Sequence, residues 1–249
     1  MFKQTKKMLL DTLFPIQCLL CRKDNVWICK KCLDKIEILS LQVCPYCEKI
    51  EMPAGKICPR CKESLLGKNK IAPVDNLVAA GNYKDVSHFI HLLKYRFVSD
   101  LHMPLGKILV KAIIENNFPL PDLIIPVPLH KRRLRWRGFN QSELLANYIG
   151  ENLTPGFQIP VRADMIVRKK YTVPQMKIKN YSERKKNLQN VFVLDEEKAK
   201  FIRDKEILLV DDVATTGSTL FECGQVLKAN GAHKIYACVI ARQEFKNVL

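Results

Sequence analysis

Eight cysteines stand in four pairs of one form: Cys18/Cys21, Cys29/Cys32, Cys44/Cys47 and Cys58/Cys61. Each C-x-x-C wraps one knuckle around a metal, and two knuckles complete a tetrahedral thiolate site. Four knuckles therefore predict two structural Zn2+ ions. Their pairing stays open: sequential sites and an interleaved arrangement both satisfy the spacing. A disulfide framework requires an oxidising compartment, and no export signal is evident. A redox C-x-x-C stands singly before a helix rather than repeated four times. Cys223 and Cys238 lie far away in apolar surroundings and read as core residues.

A second pattern is VDDVATTGST, Val210 to Thr219. An apolar run ends in Asp211 and Asp212, then passes through Val213, Ala214, Thr215, Thr216, Gly217, Ser218 and Thr219. Successive backbone N–H groups of such a turn converge on one phosphate, and a following helix N-terminus adds partial positive charge. Small residues let the backbone approach, and the hydroxyls add donors. Carboxylates facing a phosphate would repel it. One sugar's length away they accept hydrogen bonds from ribose hydroxyls. The stretch reads as a ribose-5-phosphate cradle. It lacks the lysine of a Walker A loop and the three spaced glycines of a dinucleotide fingerprint.

Two segments concentrate positive charge. His130 to Asn140 holds Lys131, Arg132, Arg133, Arg135 and Arg137 without an acid. Trp136 lies among them, and an aromatic ring beside arginines suits single-stranded nucleic acid; for the outer arginines a solvated basic loop is the rival reading. Arg137 precedes Gly138, where backbone freedom lets a guanidinium fork reach a diphosphate. Arg168 to Lys186 carries eight cations against Glu183 alone and reads as a flap closing over the site.

These groups need a scaffold. Residues 77–83, 123–127, 165–168, 206–210 and 234–241 read as strands; 86–95, 101–116, 140–152 and 218–230 read as helices, with apolar residues every three or four positions. The alternation predicts an α/β fold, an open and mainly parallel sheet with flanking helices. In such sheets ligands sit beyond the carboxyl ends of the strands. Residues 1–66 form an N-terminal helix plus the Cys-rich zinc module; residues 67–249 form the α/β domain, with the boundary near 65–75.

The chain has 249 residues and a formal net charge of +16. Residues 1–66 carry 12 basic and 7 acidic side chains, and two tetrathiolate zinc sites would bring that segment close to neutral. Residues 67–249 carry 29 basic and 18 acidic side chains, a net +11, so the anionic partner belongs to the larger domain. No apolar run approaches the ~20 residues of a membrane span. The first 18 residues read as an amphipathic helix of a cytoplasmic protein, because Asp11 interrupts their apolar part.

VDDVATTGST resembles the phosphoribosyl pyrophosphate (PRPP) motif of type I phosphoribosyltransferases. The segments IIPVPLHKRRLRWRGFNQSELLA (124–146), YKDVSHFIHLLKYRF (83–97) and QMKIKNYSERKKNLQNVF (175–192) resemble the ComF family of competence proteins, which join that fold to an N-terminal zinc module, a double zinc ribbon. The resemblance covers nearly the whole chain. It implies PRPP bound with Mg2+ at residues 211–219, and Asp211, Asp212, Arg137 and Arg184 as the catalytic set of a phosphoribosyltransferase of unknown acceptor. It implies pyrophosphate on the loop after the 123–127 strand, with Val127, Pro128, Arg137, Gly138 and Asn140 as contacts. Lys94 is either a further phosphate contact or a surface lysine. The family further implies natural transformation, in which single-stranded DNA enters the cytoplasm, with competence proteins such as a DNA-uptake helicase as partners; that DNA is the nucleic acid expected on the basic and aromatic cluster of Arg132, Arg133, Arg135 and Trp136. Two alternatives stay open. One is a catalytically silent adaptor that senses nucleotide and binds DNA, suggested because no base-specific hood is identifiable. The other is a nucleobase-salvage phosphoribosyltransferase.

Overall fold

A computed structural model describes residues 16–170 and 191–243. The chain divides into two compact units, residues 1–37 and 38–249. The expected N-terminal helix and Arg184 lie outside the described residues.

The described part of the first unit is a knuckle fold built around cysteines. The Cys18 N–H donates to Lys23 O (2.7 Å), and a short helix α1, Lys30–Leu33, follows Cys29.

The second unit begins with the other cysteine quartet, so metal ligands and sheet share one body. Helix α2, Pro59–Leu66, starts directly after Cys58, with proline at its first turn, where the missing N–H costs nothing. The Gln42 side-chain amide donates to Ala79 O (3.0 Å) and accepts from Ala79 N–H (2.9 Å). Ala79 belongs to β1, Asn76–Asn82, an edge strand. The segment around Gln42 thereby covers backbone that would otherwise offer itself for pairing.

The remaining strands are β2 (Leu123–Pro126), β3 (Ile166–Arg168), β4 (Phe192–Leu194), β5 (Glu206–Ala214) and β6 (Lys234–Arg242). Strands β1, β6, β5 and β2 lie in that order and are parallel throughout; β3 and β4 form a separate antiparallel pair. Helices α3 (Tyr83–Tyr95), α4 (His102–Glu115) and α6 (Gln141–Asn152) pack against the sheet, as does α7 (Ser218–Ala229). One apolar cluster joins Leu77, Leu123, Ile125, Ile207, Leu209, Ile235 and Val239 to Leu220, Cys223 and Leu227 of α7 and to Phe192 of β4. The alternate residues Val78, Ile124, Leu208 and Cys238 are equally buried. Covering on both faces explains why these strands are continuously apolar rather than alternating. Cys223 and Cys238 are core residues, as their surroundings suggested.

Two elements depart from the sequence reading. The expected strand end at Val210 is not an end: β5 continues through both aspartates to Ala214, because β6 pairs alongside, with Asp211 opposite Val239 and Val213 opposite Ala241. The basic stretch, to which the sequence reading assigns no element and for which a solvated loop is the rival reading, is a helix, α5 (Lys131–Arg137). Lys, Arg and Leu are good helix formers. His130 caps its start, its Nδ1 accepting from Arg132 N–H (3.2 Å), and Gly138 at φ +82° stops it. A run of charges hid the periodicity.

Candidate functional site

Both cysteine quartets assemble from sequential knuckles. Cys18, Cys21, Cys29 and Cys32 bring their sulfurs within 4.8 Å of one another, and so do Cys44, Cys47, Cys58 and Cys61. Sulfurs around a tetrahedral zinc lie ~3.8 Å apart, given a Zn–S distance of ~2.3 Å. Cys21–Cys29 at 3.5 Å and Cys47–Cys58 at 3.9 Å match that spacing. Backbone N–H groups of Cys29 and Cys58 donate to the sulfurs of Cys18 and Cys44 (3.4 Å each), as thiolates require. Without a cation the thiols cannot all ionise. Burial raises the Cys18 thiol, but hydrogen bonds from its knuckle outweigh that and bring it down to about 6. Its neighbour Cys32 is pushed up to about 12 by hydrogen bonding to Cys21 and by burial. A dication relieves that conflict, and the donor sets fit two structural zinc ions.

The other constellation lies where β5 and β2 end. A cleft of about 880 Å³, part of it open to solvent, is lined by Asp211, Asp212, Thr215 and Thr219 and by Lys94, Arg133, Arg137 and Arg168. Pro128, Ser142, Tyr83 and Tyr95 complete much of its wall. Successive side chains leave a strand on opposite sides, so the two aspartates meet different helices. Asp212, 3% exposed, faces Lys94 of α3, with Nζ 2.9 Å from Oδ1. Asp211 Oδ1 accepts from the Ser142 hydroxyl of α6 (3.0 Å) and from the Asp212 N–H (2.9 Å). Burial, then the charge of Asp212, push the Asp211 carboxyl up to about 7.

After Ala214 the chain turns on Gly217, at φ +68°, where an added Cβ would stand 3.1 Å from the Phe221 ring. That glycine is the N-cap of α7. The Thr216 and Ser218 hydroxyls bond each other (2.6 Å), and Ser218 N–H donates to Thr216 Oγ1 (3.3 Å). Two of the four expected hydroxyls therefore shape the turn internally; Thr215 and Thr219 are the ones on the cleft.

The pyrophosphate candidates separate into cleft and support. Val127 and Pro128 line the cleft. Asn140 is buried; its amide donates to Val127 O (3.1 Å), and its oxygen caps α6 by accepting from Ser142 N–H (3.2 Å). Gly138 ends α5 and lets Arg137 turn inward. Arg137, 8% exposed, donates to Gln141 Oε1, while its buried Nε has no partner among the described residues. The Oδ2 of Asp212 is likewise buried and unpartnered. Both residues line the cleft, and a buried donor and a buried acceptor left unpaired in its wall fit a ligand carrying both anionic oxygens and a cation or hydroxyl groups.

Arg168, the first residue of the expected flap, belongs to the cleft wall; residues 171–186 of that expected flap lie outside the described residues. It ends β3, is 8% exposed, and lies with its guanidinium 5.3 Å above the Phe192 ring. Burial, and then the nearby Arg133, pull it down to about 10. The sequence signal for it was an arginine closing a short apolar strand. Arg132, Arg135 and Trp136 are exposed on α5, whereas Arg133 is half-buried and faces the cleft. Trp136 meets exposed Phe97 edge-to-face at 5.0 Å. Among the described residues no helix is long and apolar enough to cross a membrane.

A glycine-capped turn into a helix after an aspartate pair, at the carboxyl end of a parallel sheet, is the arrangement of a phosphoribosyltransferase-like domain. Residues 146–247 match the model of the phosphoribosyl transferase domain, and residues 9–62 match that of the double zinc ribbon domain. The chain is 33% identical over 175 residues to DNA utilization protein YhgH of Salmonella typhi, covering 68% of this chain and 73% of that one. It is 33% identical over 173 residues to competence protein F of Haemophilus influenzae, with the same coverage. This chain belongs to the family of those proteins, the ComF family. Among solved structures, the purine phosphoribosyltransferase of Pyrococcus horikoshii aligns at 22% identity and a TM-score of 0.33, over 63% of this chain and 81% of that one.

Proposed function

We propose that this protein binds PRPP with Mg2+ in the cleft and acts in the cytoplasm in natural transformation, handling incoming single-stranded DNA. One observation carries the ligand reading. An aspartate with an unpartnered buried oxygen and an arginine with an unpartnered buried nitrogen open on the cleft beside a glycine-capped helix N-terminus. The backbone of residues 213–219 holds the 5′-phosphate. Asp211 and Asp212 accept from the ribose hydroxyls. Arg137 and Arg184 take the pyrophosphate, over the loop bearing Val127 and Pro128. Mg2+, when bound, neutralises the diphosphate and makes it a better leaving group.

The transformation reading is supported by the relatives' names, competence protein F and DNA utilization protein, and by the exposed Arg132, Arg135 and Trp136. In function, residues 1–66 hold metal and residues 67–249 hold the anionic ligands, a division that cuts across the two compact units. A DNA-uptake helicase is the class of protein partner this role requires.

A second reading, a silent adaptor that senses nucleotide, is favoured by the Lys94–Asp212 contact, which already occupies one carboxylate. Measuring pyrophosphate release from PRPP decides between them, with and without single-stranded DNA and with each free base. Release dependent on an acceptor supports an enzyme; tight PRPP binding without release supports the adaptor; neither binding nor release sinks both.

A further inference from the structure

The first knuckle of the second zinc site and the phosphate loop are joined by two stacked rings. Tyr46 stands between the metal ligands Cys44 and Cys47. Its ring lies parallel to that of Phe221, with centroids 4.9 Å apart and planes at 11°. Phe221 is in the first turn of α7, and its N–H donates to Gly217 O (2.9 Å). Its ring carbons come so close to Gly217 that a Cβ there would sit 3.1 Å away. The aromatic pair thus reaches from a thiolate knuckle to the glycine that shapes the loop.

Tyr46 is held at its ring, its hydroxyl and its backbone. Its hydroxyl accepts from Val74 N–H (3.1 Å) and donates to Val74 O (2.9 Å). Its backbone is bracketed by two ligands of one metal site. A second link runs in parallel. Arg242, at the end of β6, donates from Nη2 to Pro45 O (3.0 Å) and to Glu48 Oε1 (2.9 Å), and the next residue, Gln243, donates its N–H to Ala214 O (2.9 Å). Pro45 lies within the knuckle and Glu48 directly after it, and Ala214 stands at the start of the loop. A loop that turns on a glycine has little conformational restraint of its own. Packed rings supply restraint, because interiors deform in discrete steps rather than continuously.

We propose that Tyr46 is a positioning residue for the phosphate loop, so that the zinc site at Cys44, Cys47, Cys58 and Cys61 sets the loop's affinity for a sugar 5′-phosphate. The inference rests on the reading of residues 213–219 as the phosphate loop. Binding linkage is reciprocal: a phosphate ligand that orders the loop also slows the loss of the second zinc.

The test uses the full-length chain loaded with zinc, with ribose 5-phosphate and inorganic pyrophosphate as probes in calorimetry. Tyr46→Ala should weaken ribose 5-phosphate about three- to tenfold, the span expected for one aromatic pair. Pyrophosphate affinity and zinc content should stay the same. Tyr46→Phe keeps the stack and should bind like wild type. Ribose 5-phosphate should slow the transfer of one of the two zinc equivalents to a chromogenic chelator, and Tyr46→Ala should abolish that slowing. Should Tyr46→Ala lose zinc or fail to fold, Phe221→Leu leaves the knuckle intact and should show the same loss for ribose 5-phosphate. Unchanged affinity in a folded, zinc-loaded Tyr46→Ala or Phe221→Leu overturns the proposal. So does an equal loss for pyrophosphate, or a Tyr46→Phe as weak as Tyr46→Ala. Wild-type protein that binds no ribose 5-phosphate at all removes the phosphate-loop reading instead.

Discussion

Lys94 Nζ lies 2.9 Å from Asp212 Oδ1, and the pair is shielded, with side-chain exposures of 18% and 4%. Asp211, the preceding residue of the strand, has no such cation of its own among the described residues. One acid is thus paired and its neighbour, buried beside it, holds its proton more tightly, within a cleft that otherwise collects arginines.

Removing one partner of a buried pair leaves an uncompensated charge. Lys94→Met should therefore destabilise the fold by about 3 kcal/mol, at the lower end for such deletions. Adding Asp212→Asn should restore part of that loss, because the orphaned charge is gone. Denaturant unfolding of the two single variants and the double variant checks this; simple additivity would mean that the contact carries no coupling.

Asp211 predicts a pH dependence. Its carboxyl holds a proton up to about pH 7 in the native state, whereas an unfolded aspartate releases it near pH 4. The unfolded chain binds fewer protons between those values, so stability should fall as pH rises from about 4 to about 7 and level off above. Asp211→Asn should remove that fall and be more stable than wild type at pH 8. Thermal melts across pH show it, and PRPP affinity in the same variant should drop about tenfold, one charge-assisted hydrogen bond being worth roughly 1.5–3 kcal/mol.

Arg168 and Arg137 line the same cleft, and under the proposed reading the two share the pyrophosphate. Arg168→Gln should weaken inorganic pyrophosphate about tenfold, a charge-assisted bond again, while ribose 5-phosphate binds as before. Equal affinity for pyrophosphate in wild type and variant would leave Arg168 as a wall residue that packs on Phe192.

Zinc content follows from two closed tetrathiolate sites. Purified, reduced protein should carry two zinc ions per chain by elemental analysis, and stripping them should lower the melting temperature. One ion per chain would contradict the fit of one quartet.

For nucleic acid the exposed arginines of α5 are the ones to change. Arg132→Ala with Arg135→Ala should flatten the salt slope of single-stranded DNA binding by about 1.4, at ~0.7 per phosphate contact. Arg133 faces the cleft and is left in place, so PRPP affinity should hold. Anisotropy of a labelled oligonucleotide across a salt series measures it; an unchanged slope assigns both residues to solvent.

The chemistry-bearing residues were legible without coordinates because each signal is local. Four C-x-x-C knuckles declare thiolate sites by spacing alone, and D-D-x-A-T-T-G-S-T declares a tight glycine turn into a helix because such a turn needs small residues in sequence. Strand and helix periodicity likewise lives within ten or so residues, and it located β1, β2, β6 and most helices to within a few positions. The basic helix α5 escaped because charge masked its period, and its cap, His130, is a weak signal.

What the tertiary structure alone decided is which local pieces act on one another. Quartet pairing depends on which knuckles the chain brings together, and spacing permitted two answers. The extension of β5 through Asp211 and Asp212 depends on β6 pairing beside it, which nothing in residues 206–214 encodes. The contacts of Lys94 with Asp212, of Ser142 with Asp211 and of Tyr46 with Phe221 join residues 118, 69 and 175 positions apart. Such contacts arise from how helices pack on a sheet, and no one-dimensional pattern contains them. The second cysteine quartet, read from sequence as part of a separate module, shares its body with the sheet because Gln42 pairs with the edge strand and Tyr46 stacks on Phe221.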